Sequence, residues 1–428
     1  MNNNNFAQYA NSFQAIAKLR LESIRRLLHH LDNPQNDLKF IHVAGTNGKG
    51  SVCSFLQNIF SDAGFKTGKY TSPNLIKVSE RISIDGKLIS GEELDTLLAL
   101  VQKSAEAVKA EQGELPTQFE IWTAAAFCYF KQKKCDIVIL ETGLGGTRDA
   151  TNIIPPPLAS VITRLDLDHT EYLGSTLAEI ATEKAGIIKT PLSDADTGLT
   201  ITAPQSDAAL SVLESVCRER RNKLIVADAP HITDQRDFHE IFSYKQLSDL
   251  ECGICGFYQP ENAALAVETA LNLGIDKKHI VSGLKKATNP ARFEIIQTDP
   301  VVIYDGAHNK NGIDALIQSL TRYFPDWNGA TFITAFMGDK DIEGSLRELK
   351  TSGLLENSGL FAVKVKNNPR AAETEKICSI AHHLGISAKP FSALKDAYLT
   401  ALKKNNPIIL CGSLYLYKDF DEVLNQIC

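Results

Sequence analysis

Apolar and polar positions along the first 300 residues switch repeatedly between short β-rich runs and longer stretches with helical spacing. Leu38–Val43 predicts a strand, followed at once by a glycine turn. From Ser51 to Phe60 the apolar residues Val52, Phe55, Leu56, Ile59 and Phe60 recur at helical intervals, and Gly64 marks the stop. Asp136-Ile137-Val138-Ile139-Leu140 is a continuous apolar run ending in Glu141, and Ala159–Thr163 is another. Runs apolar on both faces suit a central, mostly parallel sheet covered by helices. Leu115–Lys131, with Trp122, Ala124–Ala126, Phe127 and Phe130, predicts a buried helix between two strands. A second α/β unit begins near Val301 with the strand Val301–Tyr304, followed by an amphipathic helix marked by Ile313, Leu316, Ile317, Leu320 and Phe324. Thr331–Phe336, Leu360–Val365 and Pro407–Leu410 predict further strands. Asn289-Pro290-Ala291-Arg292 predicts the linker, because proline disfavours a helix before it and the periodicity resets there. The chain therefore reads as α/β in two domains, residues 1–290 and 291–428. Between Pro191 and Ser248 the pattern is too weak for assignment.

Composition narrows the class without touching the fold. The 428 residues carry 45 Lys plus Arg against 51 Asp plus Glu, and 43% are hydrophobic, which excludes wholesale disorder and a disulfide mini-scaffold. A net charge of −6 offers no electrostatic reason to expect a nucleic-acid partner. No apolar run reaches the ~18–20 residues that span a bilayer, and the start, with Phe6-Ala7-Gln8-Tyr9 after four Asn, lacks a secretory signal. The nine scattered cysteines, Cys428 among them, suit a reducing cytoplasm better than a disulfide framework. Cys252 and Cys255 have C-x-x-C spacing, but no further pair of zinc ligands follows in a matching pattern, so buried free thiols are the simpler reading. A cytoplasmic protein with small-molecule partners, and with neither nucleic acid nor membrane, is the expectation.

The chemistry begins at Ala44-Gly45-Thr46-Asn47-Gly48-Lys49-Gly50-Ser51, between a predicted strand and a predicted helix. That is the context of a phosphate-binding loop. Glycines let backbone N–H groups converge without a Cβ in the way, and the helix N-terminus adds a positive dipole end. Lys49 supplies a mobile charge for β- and γ-phosphates, and the Ser51 hydroxyl suits Mg²⁺. The spacing departs from G-x-x-x-x-G-K-[ST], since two residues separate Gly45 from Gly48 and Gly50 intervenes before Ser51. A glycine-rich turn with a solvated lysine is the alternative. Glu141 ends an apolar strand, where open α/β sheets bind ligands, and a hard carboxylate suits Mg²⁺; pairing with a neighbouring arginine is its alternative.

In this form the loop resembles that of the folylpolyglutamate synthase / dihydrofolate synthase family, which belongs with the Mur ligases. The resemblance continues in order through Tyr70-Thr71-Ser72-Pro73, Glu80-Arg81-Ile82, Glu141-Thr142-Gly143-Leu144-Gly145-Gly146, Asp149-Ala150-Thr151-Asn152, Asp168-His169-Thr170 and Glu183-Lys184-Ala185-Gly186. Beyond the linker it includes Ala291-Arg292-Phe293-Glu294, Asp305-Gly306-Ala307-His308-Asn309, Gly338-Asp339-Lys340-Asp341, Asn368-Pro369-Arg370-Ala371 and Gly412-Ser413-Leu414-Tyr415. It implies a Mur-ligase-like P-loop domain with a smaller Rossmann-like C-terminal domain, forming a monomer. It also implies the reaction: ATP phosphorylates a carboxylate of a folate or dihydropteroate substrate, and L-glutamate attacks the acyl phosphate to give an amide. By the same resemblance Gly45 through Ser51 hold the phosphates, and Ser51, Ser72, Glu141 and His169 hold Mg²⁺. Lys49, Glu141, His169 and Lys184 are the catalytic set, with Lys184 carbamylated. ATP lies between the domains, Arg292 clamps phosphate oxygens, and Asn262, Asp305 and His308 contact the nucleoside. Lys340 would face the incoming glutamate.

For each of these a plainer role is available: His169 bonded to Asp168 or Thr170, Lys184 paired with Glu183 or Glu179, and Asp305–His308 as a capped turn. Asn74, Thr147-Arg148, Ala291 and Lys310 depart from the common family residues, and the first two positions bear on which folate is preferred. Chain extension, with dihydrofolate synthesis as a second activity, is the expected function. A Mur-type ligase on another carboxylate, a P-loop phosphotransferase and a non-catalytic nucleotide-binding module are the competing classes.

Overall fold

The computed structural model describes residues 21–327, 329–355 and 358–427. Phe6–Tyr9 and Cys428, used above for targeting and redox, lie outside the described residues. The chain forms two compact units. The first holds residues to His231 together with Phe242–Glu251 and Glu261–Thr288, and the second holds Ile232–Ile241, Cys252–Pro260 and the chain from Asn289 onward.

The first unit is built on β1 (Phe40–Ala44), β2 (Thr67–Tyr70), β3 (Ile82–Ile84), β4 (Lys87–Leu88), β5 (Ile137–Glu141), β6 (Ala159–Ile162), β7 (Gly198–Thr202) and β8 (Asn222–Val226). They form one sheet in the order β4-β3-β2-β5-β1-β6-β7-β8. From β2 across to β8 every neighbouring pair is parallel, and only the β2–β3 and β3–β4 pairs are antiparallel. The central strands are buried along their whole length, as continuous apolar runs require. Helices Gly91–Gln112 and Gln118–Gln132 start at capping boxes, Ser90 with Glu93 and Thr117 with Glu120. They bury Leu98, Val101, Trp122 and Phe127 in a core shared with Phe40, Tyr70 and Val138. β1 lies between β5 and β6, so the loop leaving it emerges where connections part to opposite sides, the crevice in which such sheets bind ligands.

Pro191–Ser248, unassigned from sequence, holds β7, the helix Asp207–Glu219, β8 and most of a small sheet of β9 (His231–Arg236), β10 (His239–Tyr244) and β11 (Leu247–Glu251). β8 and β9 have no buried residue, so no run of apolar positions announces them.

The main sheet of the second unit has six strands, β12 (Glu294–Thr298), β13 (Val301–Tyr304), β14 (Thr331–Thr334), β15 (Gly359–Ala362), β16 (Ala388–Pro390) and β17 (Ile408–Cys411), ordered β12-β13-β17-β14-β15-β16. All pairs are parallel except β12–β13. Its core packs Ile313, Leu316 and Leu320 of the helix Lys310–Tyr323 with Phe332, Leu360 and Ile409 of the sheet. No described helix is long and apolar enough to cross a membrane.

Candidate active site

The phosphate loop follows β1, and the helix Lys49–Asp62 begins at Gly48, which is left-handed at φ 87°. A Cβ at Gly48 would strike the Asn262 amide, and one at Gly45 (φ 152°) would strike the Thr163 side chain, so both glycines are required by what stands over them. Residues after β6 shape the loop. The Thr163 hydroxyl donates to Asn47 O at 2.6 Å, the Thr46 hydroxyl to Asp166 O at 3.0 Å, and Thr46 N–H to Arg164 O at 3.1 Å. Lys49 Nζ donates to Gly45 O (3.1 Å) and Thr46 O (3.2 Å), so its ammonium lies over the loop.

Lys184 reaches the same carbonyl: its Nζ donates to Gly45 O at 2.8 Å. It is buried near the end of the helix Leu177–Ala185, and its amine is lowered to about 7, first by burial and then by the Lys49 charge. The plainer pairings proposed for it are taken. Glu183 accepts from Arg148 Nη2 at 2.9 Å, and the Glu179 carboxylate caps its own helix through Ser175 N–H and Thr176 N–H. Thr147 and Arg148, the departures from the family pattern, thus hold the helix that carries Lys184: Thr147 N–H and hydroxyl both donate to Glu183 O.

Glu141, at the end of β5, is 4% exposed, and its Oε2 accepts the Ser72 N–H at 3.1 Å. The structure therefore brings Glu141 and Ser72 together. His169 sits left-handed at φ 50° before the short helix Thr170–Leu173, with Nε2 3.8 Å from Asp168 Oδ2. The Asp168 charge also acts on Lys184, which places this loop near the phosphate-loop lysines. Among the described residues no three His, Cys, Asp or Glu side chains gather into a metal group. Oxygen donors from Ser51, Ser72 and Glu141 nonetheless have the hard chemistry Mg²⁺ prefers.

Asp149 organises the glycine loop after Glu141, and its role was not singled out from sequence. Buried, it accepts the N–H groups of Gly143 (3.0 Å), Leu144 (2.8 Å) and Thr151 (3.0 Å), and the Thr151 hydroxyl. Because that hydroxyl donates to Asp149, His42 Nε2–H must be the donor to Thr151 Oγ1 at 2.9 Å. Burial lowers His42 to about 3, so it is neutral. Asp149→Ala should strand several buried donors and cost about 3 kcal/mol in urea denaturation.

In the second unit, Asp305 ends β13 with a buried carboxylate that accepts Phe293 N–H (2.8 Å), Ala307 N–H (2.7 Å) and the Tyr258 hydroxyl (3.1 Å). Burial pushes it up and the Arg292 charge pulls it back, so Arg292 and Asp305 are neighbours. His308 Nδ1 lies 2.8 Å from Gly306 O, so Nδ1–H donates there and fixes the ring beside the turn. Asn309 caps the next helix by accepting Gly312 N–H. Asn262 is found at Gly48, within the first unit. The Lys340 loop is tied down by Asp339, whose carboxylate accepts from Arg370 Nη2 at 2.7 Å. The Cys255 thiol faces the His239 ring at 3.7 Å, and Cys252 is buried.

A phosphate loop on a parallel sheet, followed by a second smaller sheet unit, is the arrangement of a Mur ligase, and the family models match both parts. The Mur ligase middle domain model matches residues 43–270, and the Mur ligase glutamate ligase domain model matches 291–414. More narrowly, the chain belongs to the folylpolyglutamate synthase / dihydrofolate synthase family. It is 32% identical to the folylpolyglutamate synthase of Lacticaseibacillus casei over 97% of each chain. It is 34% identical to the dihydrofolate synthase/folylpolyglutamate synthase of Bacillus subtilis over 93% of each. Among solved structures, the Mycobacterium tuberculosis folylpolyglutamate synthase complexed with ADP and AMPPCP superposes with a TM-score of 0.89 at 26% identity, covering 98% and 97% of the two chains. Escherichia coli FolC in complex with DHPP and ADP superposes with a TM-score of 0.85 at 28% identity, covering 99% and 98%.

Proposed function

We propose that the protein joins L-glutamate to the γ-carboxylate of a folyl-(poly)glutamate at the expense of ATP, and that it also joins glutamate to dihydropteroate. The observation that carries this is the convergence of Lys49 and Lys184 on Gly45 O, with family membership over nearly the whole chain. The relatives' names cover both activities, and FolC binds DHPP with ADP.

The acceptor carboxylate attacks the γ-phosphorus and the β,γ-bridging P–O bond breaks, releasing ADP and leaving an acyl phosphate. The glutamate amine then adds to the acyl carbon, and the tetrahedral adduct expels phosphate as the amide forms. Two anions must meet, so cations decide the rate. Lys49 supplies one from the loop, and backbone N–H groups at the start of its helix add their dipole. Mg²⁺, held by Ser51, Ser72, Glu141 and His169, would offset the charge on the transferred phosphoryl. Lys184 as a carbamate would turn a buried cation into an anion beside the loop, and its lowered basicity supplies the neutral amine that carbamate formation needs. In the second unit, Arg292, Asp305 and His308 are proposed as nucleotide contacts, with Asn262 acting from the first, and Lys340 as a contact for glutamate. The domain division is proposed at 290/291, with the phosphate loop before it and the glutamate-ligase domain, which also supplies nucleotide contacts, after it. The working form is a cytoplasmic monomer.

Arg292→Ala should raise the ATP concentration for half-maximal rate by about 10–100-fold, the worth of a charged hydrogen-bond pair; unchanged ATP dependence would take it out of the site. The reading as a whole is tested by ADP release with one substrate omitted at a time. Release that needs both a folate acceptor and glutamate supports the ligase, and release without glutamate supports a phosphotransferase.

A further inference from the structure

Lys69 is a cation that the phosphate loop leaves without a task. It lies half-buried on β2 between the buried residues Gly68 and Tyr70. Tyr70 packs against Phe119 with ring centroids 6.0 Å apart, and a Cβ at Gly68 would strike Phe130, so both face the helix Gln118–Gln132. Strand alternation turns Lys69 to the other face. That face meets the helix Lys49–Asp62, because Ser83, the cross-strand partner of Lys69, accepts from Gln57 Nε2 at 3.0 Å.

On the other side Lys69 pairs with Ile139 of β5, and Glu141 stands two residues further along the same face. With strands ~4.8 Å apart and a rise of ~3.3 Å per residue, such diagonal neighbours lie ~8 Å apart at the backbone, within reach of a lysine. The two charges act on one another, and both act on Cys53 in the phosphate-loop helix. Yet no described residue accepts a hydrogen bond from Lys69 Nζ. Burial lowers this amine while the Glu141 carboxylate favours its charged form; an ammonium carries three donors and no acceptor, and an anion brought to it would satisfy them.

The strand order says which anion. β5 lies between β2 and β1, so Lys69 and the phosphate loop flank Glu141 from opposite sides. In phosphoryl transfer the attacking and leaving oxygens stand roughly in line. With the nucleotide on the loop, the attacking group belongs on the β2 side. We propose that Lys69 binds the acceptor's reacting carboxylate and stays with that oxygen through the acyl phosphate; this rests on the ligase reading above. Lys69 gives up no proton: the carboxylate oxygen bonds to the γ-phosphorus, and the bridging electron pair leaves with ADP. The neutral amide that follows no longer holds the ammonium.

The test uses the full-length protein and its Lys69→Met and Lys69→Arg variants, with dihydropteroate and a reduced folyl-monoglutamate as acceptor probes. Lys69→Met keeps the buried stem and removes only the charge. It should weaken acceptor binding, titrated by fluorescence without glutamate, at least tenfold and raise the acceptor KM alongside. ADP affinity should stay within twofold and the thermal midpoint should not move, and Lys69→Arg should recover most of the acceptor affinity. Unchanged acceptor affinity in Lys69→Met overturns the proposal, as does an equal loss of ADP affinity, which would make Lys69 a nucleotide contact. Wild-type protein that releases no ADP with acceptor and glutamate overturns the ligase reading itself, and is distinguished by failing before any substitution.

Discussion

Lys49→Ala is expected to lower acceptor-dependent ADP release by about 10²–10³-fold, the usual cost of losing one preorganised charge at a transferring group. The loss should fall on turnover more than on folding. Lys49 opens its helix, and its ammonium bonds only two carbonyls of the loop, Gly45 O and Thr46 O. The loop keeps its shape from elsewhere: Thr163, Arg164 and Asp166 hold Asn47 and Thr46 through hydrogen bonds that do not involve Lys49. A thermal midpoint close to wild type together with collapsed turnover is therefore the expected pair of results. Near-normal turnover would show that the loop does not carry the phosphates.

The second large effect is at Lys184. Lys184→Ala should abolish most turnover, again by about 10²–10³-fold, and the wild-type rate should depend on bicarbonate. At pH 7 a lysine lowered to about 7 is half neutral, whereas an ordinary lysine is neutral in only about one molecule in 3,000. Carbamate formation needs that neutral form, so bicarbonate activation should grow as pH rises through 7 and fade below it. The stability linkage has the same sign. The unfolded chain binds the proton up to its ordinary pKa of 10.5 while the folded one has released it near 7, so stability rises with pH across that window. Intact mass in bicarbonate, quenched without acid, should show one added carboxyl group that Lys184→Ala lacks. A bare amine with full activity would remove the carbamate from the mechanism.

Much of this arrangement was legible in the sequence, and the illegible parts share a cause. β1, β5, β6, β13, β14, β15 and β17 are buried along nearly their whole length, so each leaves a continuous apolar run. β8 and β9 are half-exposed ribbons, and their mixed residues give no period to read. The phosphate loop announced itself because glycines, lysine and hydroxyl are adjacent in the chain. Its supports did not, since Thr163 and Asp166 lie more than a hundred residues away and look like ordinary polar positions after a strand. Asn262 was expected near the nucleoside, and the contact that explains the need for glycine at position 48 appears only in three dimensions. Lys184 shows the limit most clearly. By composition it is a helix lysine next to a glutamate, and only tertiary packing turns Glu183 toward Arg148 and buries the amine on Gly45 O. Lys69 carried no signal in the sequence, and its interest comes from pairing register.

The central claim is an amide bond made at the expense of ATP. Its most direct test is to incubate the protein with MgATP, L-glutamate and either dihydropteroate or a reduced folyl-monoglutamate, and to read the acceptor by mass. Acceptors heavier by whole glutamyl residues, with ADP released in equal number, are the expected result. An acceptor carrying a stable phosphate, or one left unchanged while ATP is consumed, would contradict it.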